Sequence, residues 1–154
     1  MRQVLTNEQK NSKRIVGLDF GFRRIGVAIS DSTQTLASPL TVLRPLGRAE
    51  GLRLVVTEIQ RLIDQDDGVA GIVLGLPSFL DGTPSEMTSH VQAFAELLRE
   101  RLHLPVFLQD ERLSSYEAES RLASHEKNWR SRKDRLDAAA AAVILQDYLD
   151  GLTS

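Results

Sequence analysis

The sequence contains no cysteine among its 154 residues. Disulfide bonds, thiolate zinc sites and thiol nucleophiles are therefore excluded. It also lacks any stretch that approaches the roughly 20 apolar residues needed to span a membrane. Residues 1–13 are polar and lack the apolar core of a signal peptide. We therefore expect a loose N-terminal tail and a cytoplasmic protein.

An excess of basic charge is absent too. The 19 Lys and Arg residues stand against 21 Asp and Glu residues, which gives a formal net charge of −2. This balance argues against a nucleic-acid binder that is basic over its whole surface, but the charges are unevenly placed along the chain. The length suits one domain with a substantial core, which we place at residues 14–151.

Apolar patterning predicts an α/β protein. We expect strands at residues 14–20, 25–30, 36–43, 71–74 and 105–108. Helices are expected at 48–64, 83–102, 114–122 and 134–149. Pro39 demotes the third strand to a sheet edge. Three antiparallel strands followed by βαβ units predict a five-stranded mixed sheet with helices on both faces.

A carboxylate lies inside the first apolar strand. Asp19 follows the run Ile15 to Leu18 and precedes Phe20 and Gly21. Burying an unpaired charge costs more than one side chain normally contributes to stability, so such a group is usually paired or bound to metal. We interpret Asp19 as a metal ligand. The alternative is a buried aspartate that accepts hydrogen bonds from backbone N–H groups at the hairpin.

Two further acids stand where the predicted fold brings them towards Asp19. Glu111 follows the fifth strand, and Asp137 falls in the first turn of the predicted last helix. The small residues Ala138 to Ala142 would let that helix lie close against the sheet. Each acid also has a simpler explanation, since residues 110–112 would suit a solvated loop and the helix dipole alone favours Asp137. Together with Asp19 they predict a carboxylate site for divalent metal.

The segment from Gly75 to Thr83 is predicted to be a loop at the carboxyl end of the fourth strand. Open α/β sheets bind ligands at this edge, and the N-terminus of the following helix offers N–H groups suited to a phosphate. A well-capped strand-to-helix connection explains the same residues. The candidate substrate-contacting residues are Gly75, Pro77, Asp81, Gly82 and Thr83.

Basic residues are concentrated just before Asp137. Between His125 and Arg135 the chain holds five Lys and Arg residues around one tryptophan, with only two acids. Lys and Arg contacts to phosphate dominate nucleic-acid affinity, and an aromatic ring can stack on an unpaired base. We therefore predict nucleic-acid binding here; a solvated, mobile basic loop is the alternative. The candidate residues are Arg23, Arg24, Arg112, Lys127, Trp129, Arg130, Arg132 and Lys133.

Six short segments, taken in order and with their spacing, resemble the YqgF nuclease family over about residues 14 to 151. They are Gly17-Leu18-Asp19-Phe20-Gly21, Arg24-Ile25-Gly26-Val27-Ala28, Gly75-Leu76-Pro77, Asp81-Gly82-Thr83, Asp110-Glu111-Arg112-Leu113-Ser114 and Asp137-Ala138-Ala139-Ala140. The chain departs from the family pattern at Phe79-Leu80, where Asn-Met is expected. The resemblance implies an RNase H-like fold and places Asp19, Glu111 and Asp137 at catalytic positions.

Members of that family are described as Holliday-junction-resolvase-like proteins or as pre-16S ribosomal RNA nucleases. The resemblance implies hydrolysis of phosphodiester bonds in structured nucleic acid. The expected role is 5′-end processing of pre-16S rRNA in ribosome biogenesis, and resolution of branched DNA is an alternative. Carboxylate ligands suit two Mg²⁺ or Mn²⁺ ions. We expect a nucleic-acid partner, no membrane contact, and a monomer or homodimer.

Two other classes of protein stay open. ATP-handling enzymes of the actin and sugar-kinase type also place Asp and then Gly after a first strand, but they need a second domain and a second phosphate motif, for which this chain has no room. A non-catalytic RNA-binding module could share the fold, yet such a module can lose its carboxylates freely. The presence of Asp19, Glu111 and Asp137 favours an enzyme.

Overall fold

The computed structural model describes residues 13–77, 86–111 and 129–152, with the backbone alone at positions 48, 86 and 129–136. These residues form one five-stranded sheet and three helices. In chain order the elements are β1 (Arg14–Asp19), β2 (Ile25–Ser30), β3 (Ala37–Leu43), α1 (Arg48–Ile63), β4 (Val69–Pro77), α2 (Glu86–Leu102), β5 (Val106–Glu111) and α3 (Trp129–Gly151).

The sheet has the strand order β3-β2-β1-β4-β5. The first three strands pair antiparallel, whereas β4 runs parallel to β1 and β5 runs parallel to β4. The predicted mixed sheet is therefore confirmed. β3 lies at an edge, and Pro39 stands beside a register shift in the β2–β3 pairing. An edge position of this kind tolerates the missing N–H of proline.

Helices α1 and α2 cover one face of the sheet. Their predicted apolar faces are buried against alternate residues of β1, β2 and β4, such as Val16, Leu18 and Leu74. This burial explains why two helices with mixed polar and apolar residues form here, since packing of an amphipathic face supplies most helix stability in proteins. The buried helix residues are Val55, Val56, Ile59, Leu62, Val91, Phe94, Ala95 and Leu98.

Helix α3 covers the opposite face and approaches it closely. A Cβ atom added to Gly17 of β1 would lie 2.7 Å from the Cβ of Leu145, and one added to Gly26 of β2 would lie 2.1 Å from the carbonyl oxygen of Asp137. The small side chains of Ala138 and Ala141 are buried on the helix side. Glycine on the strands and alanine on the helix together permit this distance.

Two predicted boundaries at the carboxyl edge are wrong. β4 continues to Pro77 and β5 continues to Glu111, because the parallel ladder pairs Gly75 with Gln109 and Pro77 with Glu111. The backbone groups of both segments are satisfied within the sheet, which favours strand over loop. Gly75 and Pro77 are therefore strand residues, and Glu111 is the last residue of a strand rather than part of the following loop.

The start of the last helix also differs from the prediction. α3 begins at Trp129 instead of Asp134, so the basic residues 129–133 are helical rather than a mobile loop. Lys and Arg are good helix formers and extend the alanine-rich segment towards its N-terminus. Asp137 stands two turns inside the helix, where the helix dipole no longer explains it. The predicted short helix at 114–122 lies outside the described residues.

Side-chain hydrogen bonds secure the edge strand and the turn before it. The Oε1 atom of Gln146 on α3 accepts a hydrogen bond from the N–H of Ala37 at 2.9 Å, and its Nε2 donates to the carbonyl oxygen of Thr35 at 2.9 Å. The Oδ1 atom of Asp31 accepts hydrogen bonds from the N–H groups of Thr35 and Leu36 at 2.9 and 3.2 Å. β3 is thereby held to both α3 and the sheet.

Among the described ranges, no helix is both long enough and apolar enough to cross a bilayer.

The contact at Gly26 predicts a large effect of a single methyl group. Gly26→Ala should lower the free energy of unfolding by about 3 kcal/mol, because β2 or α3 must move to accommodate the new atom. Gly51→Ala is the control: in α1 the new Cβ would meet Ile25 Cδ1 at 3.5 Å. That change should raise stability by about 0.5–1 kcal/mol. Urea unfolding followed by circular dichroism measures both, and equal stability of Gly26→Ala and the parent would contradict the packing.

Asp31 should make stability depend on acid pH. The N–H of Thr35 is the main cause that lowers the pKa of this carboxyl below 3.8, and the Thr33 hydroxyl and Leu36 N–H act in the same direction. Because the folded-state pKa is the lower one, the stabilisation is complete above about pH 4 and is lost as pH falls through the folded-state pKa. The melting temperature of Asp31→Asn should therefore fall less than that of the parent between about pH 4 and pH 2. Asp66→Asn, a change at an exposed position, should keep the parental slope.

Candidate active site

Asp19 ends β1 at the carboxyl edge of the sheet and is half-buried. Side chains alternate between the faces of a strand. Ile15 lies in the cluster that contains α3 residues, and Gly17 contacts Leu145 of α3. The side chain of Asp19, two residues further along, therefore projects to the α3 face at the end of the strand.

Asp137 lies directly beside this position. Gly26 is the cross-strand partner of Asp19, and the backbone of Asp137 rests on Gly26. Any side chain at position 26 would push α3 away from the end of β1. Gly26 thus brings Asp19 and Asp137, which are far apart in the sequence, to neighbouring positions at one edge.

Glu111 lies at the same edge and on the same face. Phe107 stacks on Tyr148 of α3 with ring centroids 5.4 Å apart, so strand alternation points Glu111 to the α3 side as well. Its Cγ lies 3.5 Å from where a Cβ of Gly75 would be, and its Oε1 is buried. β4 separates Glu111 from β1, which corresponds to about 10 Å across two strand spacings.

Arg24 introduces a positive charge among these acids. Its Nε is buried and lies 3.9 Å from Oδ2 of Asp137, with the side chains of Arg24 and Asp137 24% and 28% exposed. At this distance the two groups form an ion pair without a hydrogen bond between these two atoms. In this position Arg24 offsets the charge of Asp137, and its contact with nucleic acid stays a prediction.

The donor chemistry of this edge suits a hard cation, because all three acids supply carboxylate oxygens. In the part of the chain that the structure describes, however, no three acids or histidines lie close enough together to hold one ion. Asp19 and Asp137 are brought together, and Glu111 stands two strand spacings away, on the far side of β4. Mg²⁺ commonly takes only one or two protein carboxylates and completes its shell with water and substrate phosphate, so this donor set fits it.

The predicted substrate loop is described only at its beginning. Gly75 and Pro77 lie in β4, while residues 81–83 lie outside the described ranges. Thr88, near the start of α2, donates a hydrogen bond from its hydroxyl to the carbonyl oxygen of Pro77 at 2.7 Å. This buried contact ties the two ends of the segment 78–85 together.

The predicted nucleic-acid residues fall in three places. Arg23 is exposed in the turn between β1 and β2, next to Arg24. Arg112 and Lys127 lie outside the described ranges. Trp129, Arg130, Arg132 and Lys133 occupy the first turns of α3, on the helix that carries Asp137.

The sequence analysis missed two features of this edge. One is the role of Gly26, although a glycine inside a strand signals close approach of another backbone. The other is an aromatic group around Phe22, whose ring contacts Phe20 and the His90 ring of α2. No local pattern connects Phe22 with His90, since they meet only in the folded chain.

Comparison with known proteins bears on both fold and family. The family model described as "RuvX: Holliday junction resolvase" matches residues 13–151. A protein of Anaeromyxobacter sp. (strain Fw109-5) is 42% identical over 90% of this chain and 97% of its own length, and one of Roseiflexus sp. (strain RS-1) is 40% identical over 89% and 94%. Both carry the name "Putative pre-16S rRNA nuclease".

Solved structures share the fold at low identity. The fowlpox virus Holliday junction resolvase superposes with a TM-score of 0.53 at 13% identity and covers 90% of this chain and 99% of its own. RuvC of T. thermophilus, solved with a Holliday junction substrate, superposes with a TM-score of 0.50 at 11% identity. The match covers 92% of this chain and 96% of RuvC. The predicted RNase H-like fold is confirmed. With a match that spans nearly the whole sequence, the chain belongs to the RuvX family and is a nuclease.

Proposed function

We propose that this chain hydrolyses phosphodiester bonds at the carboxyl edge of β1, with Asp19, Glu111 and Asp137 as its catalytic acids. The observation that carries the proposal is the contact of the Asp137 backbone with Gly26, the cross-strand partner of Asp19. Two acids at one sheet edge repel each other, and a bound cation is the usual reason to keep them together. If either acid had only a structural role, Asp19 and Asp137 would not need to lie next to each other.

The proposed cofactor is Mg²⁺ or Mn²⁺, in two sites, held by Asp19 and Asp137 with Glu111 on the β5 side. Such ions, when bound, polarise the phosphate, lower the pKa of water and stabilise the leaving oxygen. The chain's own contribution is to fix the acids on a strand end and a helix. Arg24 balances the charge of Asp137 before a cation or a phosphate arrives.

The proposed substrate is pre-16S rRNA, which is the substrate in the names of the relatives. Within it, the proposed site of cleavage is the 5′ region. This assigns the chain to ribosome biogenesis in the cytoplasm. A four-way DNA junction is the second candidate, favoured by the description of the family model. Cleavage of paired junction strands would require a homodimer, whereas trimming of RNA is compatible with a monomer.

Asp19→Asn should reduce Mg²⁺-dependent cleavage by at least about 100-fold, because loss of even an outer partner of a metal ligand costs roughly 10- to 100-fold. Cleavage is measured on two labelled substrates, an RNA that includes the 5′ leader of 16S rRNA and a four-way DNA junction. Preference for one of them by the parent identifies the substrate class.

Asp66→Asn provides the matched control. Asp66 is exposed in the connection between α1 and β4, at the opposite edge of the sheet. This variant should cleave like the parent, and both variants should unfold thermally like the parent. Parental activity of Asp19→Asn would remove the proposed site.

The basic first turns of α3 should determine the salt dependence of binding. Replacing Arg130, Arg132 and Lys133 with alanine should weaken RNA binding and reduce the slope of log K against log[salt] by about 2, since each phosphate contact contributes roughly 0.7–0.9. Fluorescence anisotropy over a salt series gives this slope.

A second triple variant controls for net charge. Lys13, Arg61 and Arg101 are exposed at the opposite end of the sheet, just before β1 and near the ends of α1 and α2. Their replacement with alanine removes the same charge and should leave the slope nearly unchanged. Equal slopes for the two triple variants would show that general charge, not the α3 segment, drives binding.

A further inference from the structure

We propose that an aromatic cleft beside Asp19 binds one unpaired nucleobase of the substrate strand; this inference rests on the proposed nuclease function and adds a subsite to it. The aromatic cleft is a shallow depression that is open to solvent. Its lining residues are Phe20, Gly21, Phe22, Pro45 and Gly51.

The cleft borders the proposed catalytic edge. Phe20 directly follows Asp19, and Phe22 lies in the turn that leads to β2. Pro45 and Gly51 come from the loop before α1 and from the first turns of α1. The cleft therefore opens on the α1–α2 side of the sheet edge, while Asp19 faces α3. A strand that crosses this edge would place a phosphate at Asp19 and a neighbouring base over the cleft.

The aromatic floor is held in place by ring contacts. Phe20 packs on Phe94 of α2 with centroids 4.7 Å apart. Phe22 contacts Phe20 at 5.6 Å and 78°, and His90 at 5.0 Å and 81°. Phe20 belongs to the core cluster under α1 and α2, whereas Phe22 is half-buried in a surface turn. A ring fixed in this way loses little entropy when a ligand stacks on it.

The loop that contributes Pro45 to the cleft is also fixed, and it carries an exposed apolar side chain. Leu46, next to Pro45, is 93% exposed. Its N–H donates a hydrogen bond to Oε1 of Glu50 at 3.0 Å, and Glu50 also pairs with Arg53. The loop is thus fastened to α1 while its leucine projects into water. A second apolar surface beside an aromatic floor is suited to a flat apolar ligand.

The charges around the cleft favour a nucleotide over other flat ligands. Arg23 in the β1–β2 turn and Arg44 before Pro45 are both exposed. Cations on two sides of an apolar floor match a base flanked by backbone phosphates. Proteins recognise unpaired RNA by stacking bases on Phe, His and similar side chains. Because the cleft adjoins Asp19, we assign it to a base of the substrate strand.

The first test moves a single abasic unit along the substrate. The probe is a fluorescein-labelled RNA hairpin with a single-stranded tail of about 12 nucleotides, and binding is measured by anisotropy in EDTA, so that no metal-dependent cleavage occurs. The parent should bind roughly tenfold more weakly when the abasic unit occupies one particular tail position, which is the loss expected for one stacked base.

Phe22→Leu tests the protein side of the same contact. It should bind the intact RNA roughly tenfold more weakly, and its affinity should no longer depend on the position of the abasic unit. The matched control is Phe107→Leu, because Phe107 is 40% exposed and stacks on Tyr148 near the β5 edge of the sheet. The control should bind like the parent and keep the position dependence.

The outcomes separate the two proposals. A flat abasic scan with the parent, or parental binding by Phe22→Leu, overturns the aromatic cleft while metal-dependent cleavage of the same RNA still supports the nuclease. Failure of the parent to bind or cleave both the RNA and a four-way DNA junction overturns the proposed function and the cleft together. The abasic scan uses the parent chain, so it still tests the cleft if Phe22→Leu does not fold.

Discussion

The close contact of α3 with the sheet is the constraint on which the rest of the site depends. It exists because Gly17 and Gly26 present bare backbone to the helix, at distances where a Cβ atom would overlap Leu145 or the carbonyl of Asp137. The position of Asp137 relative to Asp19 follows from this contact. A fold that held α3 at an ordinary helix–sheet distance would separate the two acids.

The carboxyl edge of the sheet combines two chemistries in two layers. On the α3 side lie the three acids and Arg24, which meets Asp137 as an ion pair. On the α1–α2 side lie the aromatic rings that follow Asp19. The five residues from Asp19 to Arg23 connect the two layers, because β1 ends at Asp19 and the turn that follows carries Phe20 and Phe22. The proposed substrate, a nucleic-acid strand, has both a charged backbone and apolar bases, which correspond to these two chemistries.

The spacing of apolar residues was sufficient to predict those features of the fold that depend on local sequence. The bounds of β2 and the buried faces of α1 and α2 follow from alternation and helical spacing alone. It failed at the ends of β4 and β5, because Gly75, Pro77 and Glu111 carry local loop signals that the parallel ladder between two distant strands overrides. The Arg24–Asp137 pair and the Phe22–His90 contact were equally beyond reach, since each joins residues that no local pattern relates.

Helix α3 runs without interruption from Trp129 to Gly151. Its basic first turns and Asp137 therefore belong to one stiff rod, separated by about 12 Å along the axis at 1.5 Å per residue. Asp19, in contrast, is anchored in the sheet. If the basic turns bind nucleic acid as proposed, any displacement of that end of the helix would also move Asp137 relative to Asp19.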